Sequence, residues 1–291
     1  MSIGANDIKW LLLMKKKYGV DYSSIAMLGR QKLLIEGQVK LLSRYLNVND
    51  IQQEDGYSEK FWNVLAGREI YVDSFDISSY ENATVLHDMN KPISAEYMGK
   101  YGAVFDGGTL EHLFNYPQAL HNAMNMVRPG GFLMLETAAN NRFGHGFYQF
   151  SPELFFCTLT SRNGFEVLDM TEVCERKTGA IHRIKYYGIS DFTKTGRSLE
   201  TATRGITSLY VLARRIGDVP DDLVIQQNGF ISTWDEPADL ALRVKNKVRD
   251  AIIKRRVGLN FYNQLVGIKH SVLLKMYIRE YDLDRELCKY F

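Results

Sequence analysis

Between residues 22 and 215, seven short apolar runs alternate with stretches of helical period, and this alternation limits the fold more than any other feature of the chain. Strands that read as nearly continuous apolar runs are buried on both faces, and strand-helix-strand order places neighbouring strands parallel. The runs are Ser24 to Leu28, Glu69 to Phe75, Thr84 to His87, Ala103 to Phe105, Phe132 to Glu136, Glu166 to Met170 and Leu209 to Arg214. Helices are expected at Lys32 to Leu46, at Ser58 to Ala66, and at Tyr116 to Val127, where Arg128-Pro129-Gly130-Gly131 ends the helix and turns the chain. Residues 5–18 read as a leading helix whose Ile8, Leu11, Leu12 and Met14 pack on the sheet while its lysines face water. The expectation is an α/β fold: a doubly wound, mostly parallel seven-stranded sheet over residues 1–216, followed by a helical, basic C-terminal appendage over 217–291.

Composition removes several alternatives. An apolar content of 45% fills a substantial core, and 36 basic against 34 acidic residues give +2, too little for the strongly basic footprint of a nucleic-acid binder. Cys157, Cys174 and Cys288 have neither metal-site spacing nor the even count of a disulfide framework, which fits a reducing, cytoplasmic setting. The apolar run Trp10 to Met14 leads into Lys15, Lys16 and Lys17 and has neither the length of a membrane span nor a signal peptide's cleavage site. From residue 240 onward Lys and Arg outnumber Asp and Glu by twelve to five. The cluster from Arg243 to Arg256 reads as a solvated helix face, an anionic-acceptor site or a membrane-surface contact, and Tyr262, Tyr277, Tyr281 and Tyr290 offer aromatic surface for a homodimer.

In an open parallel sheet, ligands lie outside the carboxyl ends of the strands, where strand order reverses. The residues at those ends are Met27-Leu28-Gly29-Arg30-Gln31, then Asp76, then Asp88-Met89, then Asp106-Gly107-Gly108-Thr109-Leu110-Glu111-His112. An ionised Asp76 can accept both hydroxyls of a ribose, or cap the Ser78 to Tyr80 turn instead. After the fifth strand, Asn140 to Gln149 mixes hydrogen-bonding and aromatic side chains, with Gly144 and Gly146 flanking His145. Ser151-Pro152-Glu153 reads as a helix start.

At these residues the chain resembles the class I S-adenosylmethionine (SAM) dependent methyltransferases of the small-molecule and glycan-tailoring sort. The resemblance covers about residues 22–215 and is carried by Tyr101-Gly102-Ala103-Val104-Phe105-Asp106-Gly107-Gly108-Thr109-Leu110-Glu111-His112-Leu113, followed by Val127-Arg128-Pro129-Gly130-Gly131-Phe132-Leu133. His87-Asp88-Met89-Asn90-Lys91-Pro92 resembles the family's adenine segment. The first loop departs from the pattern: Met27 stands where the family has an acid, and Gln31 and Leu33 occupy its second and third glycine positions.

The resemblance implies a Rossmann-like domain with SAM as cofactor, held by Gly29, Arg30, Gln31, Asp76, Asp88, Met89, Asp106, Gly107 and Gly108. Arg30 would reach the cofactor's carboxylate and Gln31 its ammonium, unless the pair simply starts the following helix. It further implies methyl transfer to an oxygen of a sugar, a sugar-phosphate or another polar small molecule, as in polysaccharide biosynthesis. His145, His112 and Tyr148 are the candidate catalytic residues, with His145 as base because His112 is expected to begin a helix, where partial positive charge lowers basicity. Glu111 and His112 alone fall short of a metal site, so none is expected. The altered first loop also admits a catalytically silent, methyltransferase-like binding or scaffold protein.

Overall fold

The computed structural model of the chain describes residues 2–35, 37–48, 51, 56–178, 181–191, 203, 205–227, 276 and 278–290. Its elements begin with β1 (Ser2–Gly4), α1 (Ala5–Tyr18), β2 (Ser24–Leu28), β3 (Lys32–Leu34), α2 (Val39–Leu46) and α3 (Glu59–Ala66). There follow β4 (Tyr71–Asp76), β5 (Val85–Leu86), β6 (Tyr101–Asp106), α4 (Tyr116–Met126), β7 (Val127–Asn140) and α5 (Pro152–Thr158). The remaining elements are β8 (Phe165–Thr178), β9 (Ile181–Ile189), β10 (Ile206–Arg215), β11 (Ile278–Tyr281) and α6 (Leu283–Cys288).

The main sheet has nine strands in the order β11-β9-β8-β10-β7-β6-β2-β4-β5. From β5 to β7 all neighbours are parallel; from β7 to β11 all are antiparallel. The seven-strand, mostly parallel expectation is therefore corrected to nine strands of mixed direction. Each of the seven sequence-read runs is a strand of this sheet, and β9 and β11 extend it. The chain moves from β2 outward to β4 and β5, then returns to β6 and β7 on the other side, so strand order reverses between β2 and β6. Their carboxyl ends are thus the switch point of a Rossmann-like α/β sheet.

Alternation along the central strands splits the core into two layers. Ile25, Met27, Ala103, Phe105, Phe132, Met134 and Leu212 face the layer that holds α1, α2 and α3. Ala26, Leu28, Val104, Leu133, Leu135 and Val211 face the layer that holds α4 and α5. Helix α1 starts where Gly4 N donates to Asp7 Oδ2 at 2.6 Å and ends at Gly19 in the left-handed region. Ile8, Leu11, Leu12 and Met14 are buried as expected, but Lys9 is also buried and pairs with Asp284 at 2.8 Å, and Lys15 donates to the Leu65 carbonyl. The helix expected over Lys32–Leu46 is corrected as well: Lys32–Leu34 forms β3, paired in parallel with β1, and only Val39–Leu46 is helical. No helix among the described residues is long and apolar enough to cross a membrane. The basic cluster from Arg243 to Arg256, with Tyr262 and Tyr277, lies outside the described residues.

Candidate active site

The first loop is built differently from its expected use. Gly29, at φ 72°, carries the chain off β2 and its N–H donates to the Phe75 carbonyl at 2.7 Å. Arg30 does not stand open toward a ligand carboxylate: its Nε donates to Glu59 Oε1 at 2.6 Å, its Nη1 to the Glu81 carbonyl at 2.8 Å, and its guanidinium lies 3.9 Å from the centre of the Tyr57 ring. The Gln31 side chain is fully buried and donates back to the Leu28 carbonyl, while its Oε1 lies beneath Gly107, 2.7 Å from where a Cβ there would sit. Met27, in place of the family's acid, is buried in the helical layer and accepts hydrogen bonds from Ser58 Oγ and Trp62 Nε1. An acid at this position would face that layer rather than the loop.

At the neighbouring strand ends, Asp76 Oδ1 accepts from Ser78 N at 3.0 Å, so one carboxylate oxygen caps the turn. Ile77, Tyr80 and Leu86 are exposed beside it, an apolar surface against which a flat ring can lie. Asp88 is committed to its own turn, accepting from Asn90 N and Nδ2, and these bonds hold its carboxyl below the usual carboxylate range. The Met89 side chain is 3% exposed and packs in the α4 layer, so it is the backbone there that faces the strand end. Asp106 is fully buried; its Oδ1 accepts from Thr109 N, shaping the Gly107-Gly108 turn, and Gly108 has φ 95°. Burial and then the nearby Glu111 charge push the Asp106 carboxyl well above the usual range.

The third group of residues meets at the mouth of a cleft. Leu110–His112 is a 3-10 turn, so His112 closes a short turn and does not begin α4 as expected. Glu111 is buried, and its carbonyl accepts from Phe147 N at 2.7 Å and Tyr148 N at 3.1 Å. Those bonds lay the 140–149 loop over the turn and set His145 Nε2 at 3.6 Å from Glu111 Oε1, with the His112 and His145 ring centres 5.0 Å apart. Tyr148 is drawn away from His145: its hydroxyl donates to the Phe114 carbonyl at 2.7 Å and its ring packs with Tyr116 and Phe150.

The cleft holds about 620 Å³ and runs across the carboxyl ends of β6, β7 and β8. Gly107, Gly108, Glu111, His112 and His145 line it, together with Asp7, Glu136 and Tyr210. Tyr210 donates its hydroxyl to Asp7. Burial, with the charges of Asp7 and Asp106, pushes the Glu136 carboxyl well up. Sequence reading missed this acidic wall, although Glu136 stands at the end of the fifth apolar run and was legible by the same rule that selected Asp106.

The sheet defines a Rossmann-like α/β domain, and the cleft opens beside its switch point. No family model matches the chain, and no curated protein does. Among solved structures it is similar to a 1,6-didemethyltoxoflavin N1-methyltransferase of Burkholderia thailandensis, which holds S-adenosylhomocysteine, at 11% identity and TM-score 0.37 over 72% of this chain and 78% of that one. It is similar to a SAM-dependent methyltransferase of Thermotoga maritima at 12% identity and TM-score 0.34 over 72% and 88%. It is also similar to a branched-chain polyamine synthase of Thermus thermophilus, which holds 5'-methylthioadenosine, at 10% identity and TM-score 0.38 over 76% and 58%. Likenesses this distant carry no weight for the reaction, which has to come from the side chains.

Proposed function

We propose that the chain is a SAM-dependent methyltransferase acting on an oxygen of a sugar or another polar small molecule, such as one used in glycan tailoring. One observation carries this reading: the Asp106-Gly107-Gly108 turn, at the switch point, adjoins a 620 Å³ cleft whose rim bears His145 beside Glu111. One buried acceptor at this point, Asp106 Oδ2, has no hydrogen-bond partner among the described residues, and an amino-acid ammonium is a donor of the kind it needs. The second Asp76 oxygen and exposed Ile77 suit a ribose and a purine face. These features fit the cofactor, with Gly29, Asp76, Asp106, Gly107 and Gly108 as the residues that would hold it.

When bound, the cofactor supplies an activated methyl group, which leaves sulfur as the acceptor oxygen bonds to it. This chain's residues align the acceptor in the cleft and remove its proton. His145 takes that proton, and the imidazolium formed lies beside Glu111. His145→Ala should lower transfer about a hundredfold to ten-thousandfold while leaving S-adenosylhomocysteine affinity unchanged. Equal turnover in wild type and variant would remove His145 from proton transfer. The engaged Arg30 and inward-turned Gln31 favour a second reading, a methyltransferase-like binding protein without activity. Calorimetric titration with S-adenosylhomocysteine separates the two, since the enzyme reading requires saturable binding.

A further inference from the structure

We infer that Glu111, His112 and His145 bind one divalent transition-metal ion at the acceptor mouth. The ion's role in transfer rests on the proposed function, but its binding does not. One ligand atom from each of the three side chains lies within 4.8 Å of the other two. The sequence expectation of no metal counted only the adjacent Glu111 and His112; the fold supplies a third donor from 33 residues further along the chain.

Glu111 points to a ligand independently of that proximity. Its side chain is 4% exposed, and its Oε2 has no hydrogen-bond partner among the described residues. The 3.6 Å from Oε1 to His145 Nε2 is too long for a good hydrogen bond, so the histidine leaves the carboxylate poorly satisfied. A buried carboxylate in that state is costly unless it is paired or coordinates a metal. Two imidazoles and one carboxylate are donors suited to zinc, cobalt, manganese or iron, and three protein ligands leave positions open for substrate oxygen.

The backbone supports the arrangement. Gly146 lies so close to the Glu111 carbonyl that a Cβ on it would sit 2.8 Å from that oxygen, and its φ is +71°. The loop is therefore seated against the turn that carries two of the donors, which fixes His145 above them. Metal–ligand bonds of about 2.0–2.2 Å require the three donor atoms to stand roughly 3.0–3.5 Å apart, a closure of about 1 Å that rotation of two exposed imidazoles provides. With the ion bound, an acceptor hydroxyl on it would lose its proton to water near neutral pH and His145 would be a ligand; the base role of His145 belongs to the metal-free site.

The test uses the full chain, stripped with chelator and titrated with Co²⁺, read by equilibrium dialysis and visible absorption. One Co²⁺ per chain is expected, with a visible band from nitrogen and oxygen ligands. The His112→Ala/His145→Ala double variant should lose affinity by more than the roughly 10- to 100-fold that removal of an outer partner costs. Its unfolding transition and S-adenosylhomocysteine binding should remain. Equal Co²⁺ uptake by wild type and double variant, or no saturable uptake by wild type, overturns the site. Co²⁺ binding without S-adenosylhomocysteine binding keeps the site and removes the proposed function; the reverse result removes the site alone.

Discussion

Gly144 and Gly146 flank His145 and share a left-handed backbone, at φ +80° and +71°, yet their surroundings differ. A Cβ on Gly144 meets nothing within 4 Å, whereas one on Gly146 meets the Glu111 carbonyl oxygen at 2.8 Å. Alanine at either position costs about 1–2 kcal/mol for left-handed backbone. At 146 the contact is with backbone, so no side chain can yield; the loop must lift and lose the bonds from Phe147 N and Tyr148 N to Glu111, each worth about 1 kcal/mol. Gly144→Ala should thus cost about 1–2 kcal/mol and Gly146→Ala about 3–4 kcal/mol in urea unfolding, less whatever the loop regains in its lifted position. Gly146→Ala should also depress methyl transfer strongly, because His145 leaves Glu111, while S-adenosylhomocysteine affinity is unchanged. If the two variants behave alike in stability and turnover, the seating of the loop on Glu111 does not position His145.

Asp76→Ala should weaken S-adenosylhomocysteine binding by about 1–3 kcal/mol in calorimetry, the scale of hydrogen bonds to a charged group; unchanged affinity would remove Asp76 from the cofactor site. Glu136 is pushed up from its ordinary 4.5 by burial, so the folded chain holds a proton that the unfolded chain releases. Its contribution to stability is complete below the unfolded value and is lost as pH rises toward the folded one. Glu136→Gln should flatten that decline in unfolding free energy measured across pH, and an unaltered profile would refute the assignment. Trp62, fully buried against Tyr22, Phe61 and Phe105, should cost about 3–5 kcal/mol when changed to alanine, read as a fall in the urea midpoint.

What the sequence made legible was whatever local pattern decides. Strands β2, β6 and β7 are apolar runs because both faces are buried, and Asp106, Glu111, His112 and His145 stand out because they follow strand ends. Lys32–Leu34 was misread as helix because its strand character comes from pairing with Ser2–Gly4, thirty residues away, where no local period signals it. Gln31 and Met89 sit where ligand contacts belong, but packing turns both side chains inward, and a chain position gives no direction to a side chain. Tyr148 has a binding-loop composition around it, yet the Phe114 carbonyl and the Tyr116 ring claim it. The convergence of Glu111 with His145 depends on two backbone bonds that no residue pattern announces.

The pairing of Lys9 with Asp284 joins residues 275 positions apart, and β11 beside it covers the edge of β9. Such contacts raise the contact order and slow folding, because loop closure precedes any gain from the contact. During synthesis at 5–20 residues per second, roughly 15 to 55 s separate the emergence of Lys9 from that of Asp284. Throughout that interval a buried-to-be ammonium lacks its carboxylate, and for about the last 4 to 18 s of it, once Ile189 has emerged and before Ile278 follows, β9 presents an open edge of the kind that pairs with other chains. The nascent chain therefore has a long window in which it is open to edge-to-edge aggregation, and slower translation lengthens it.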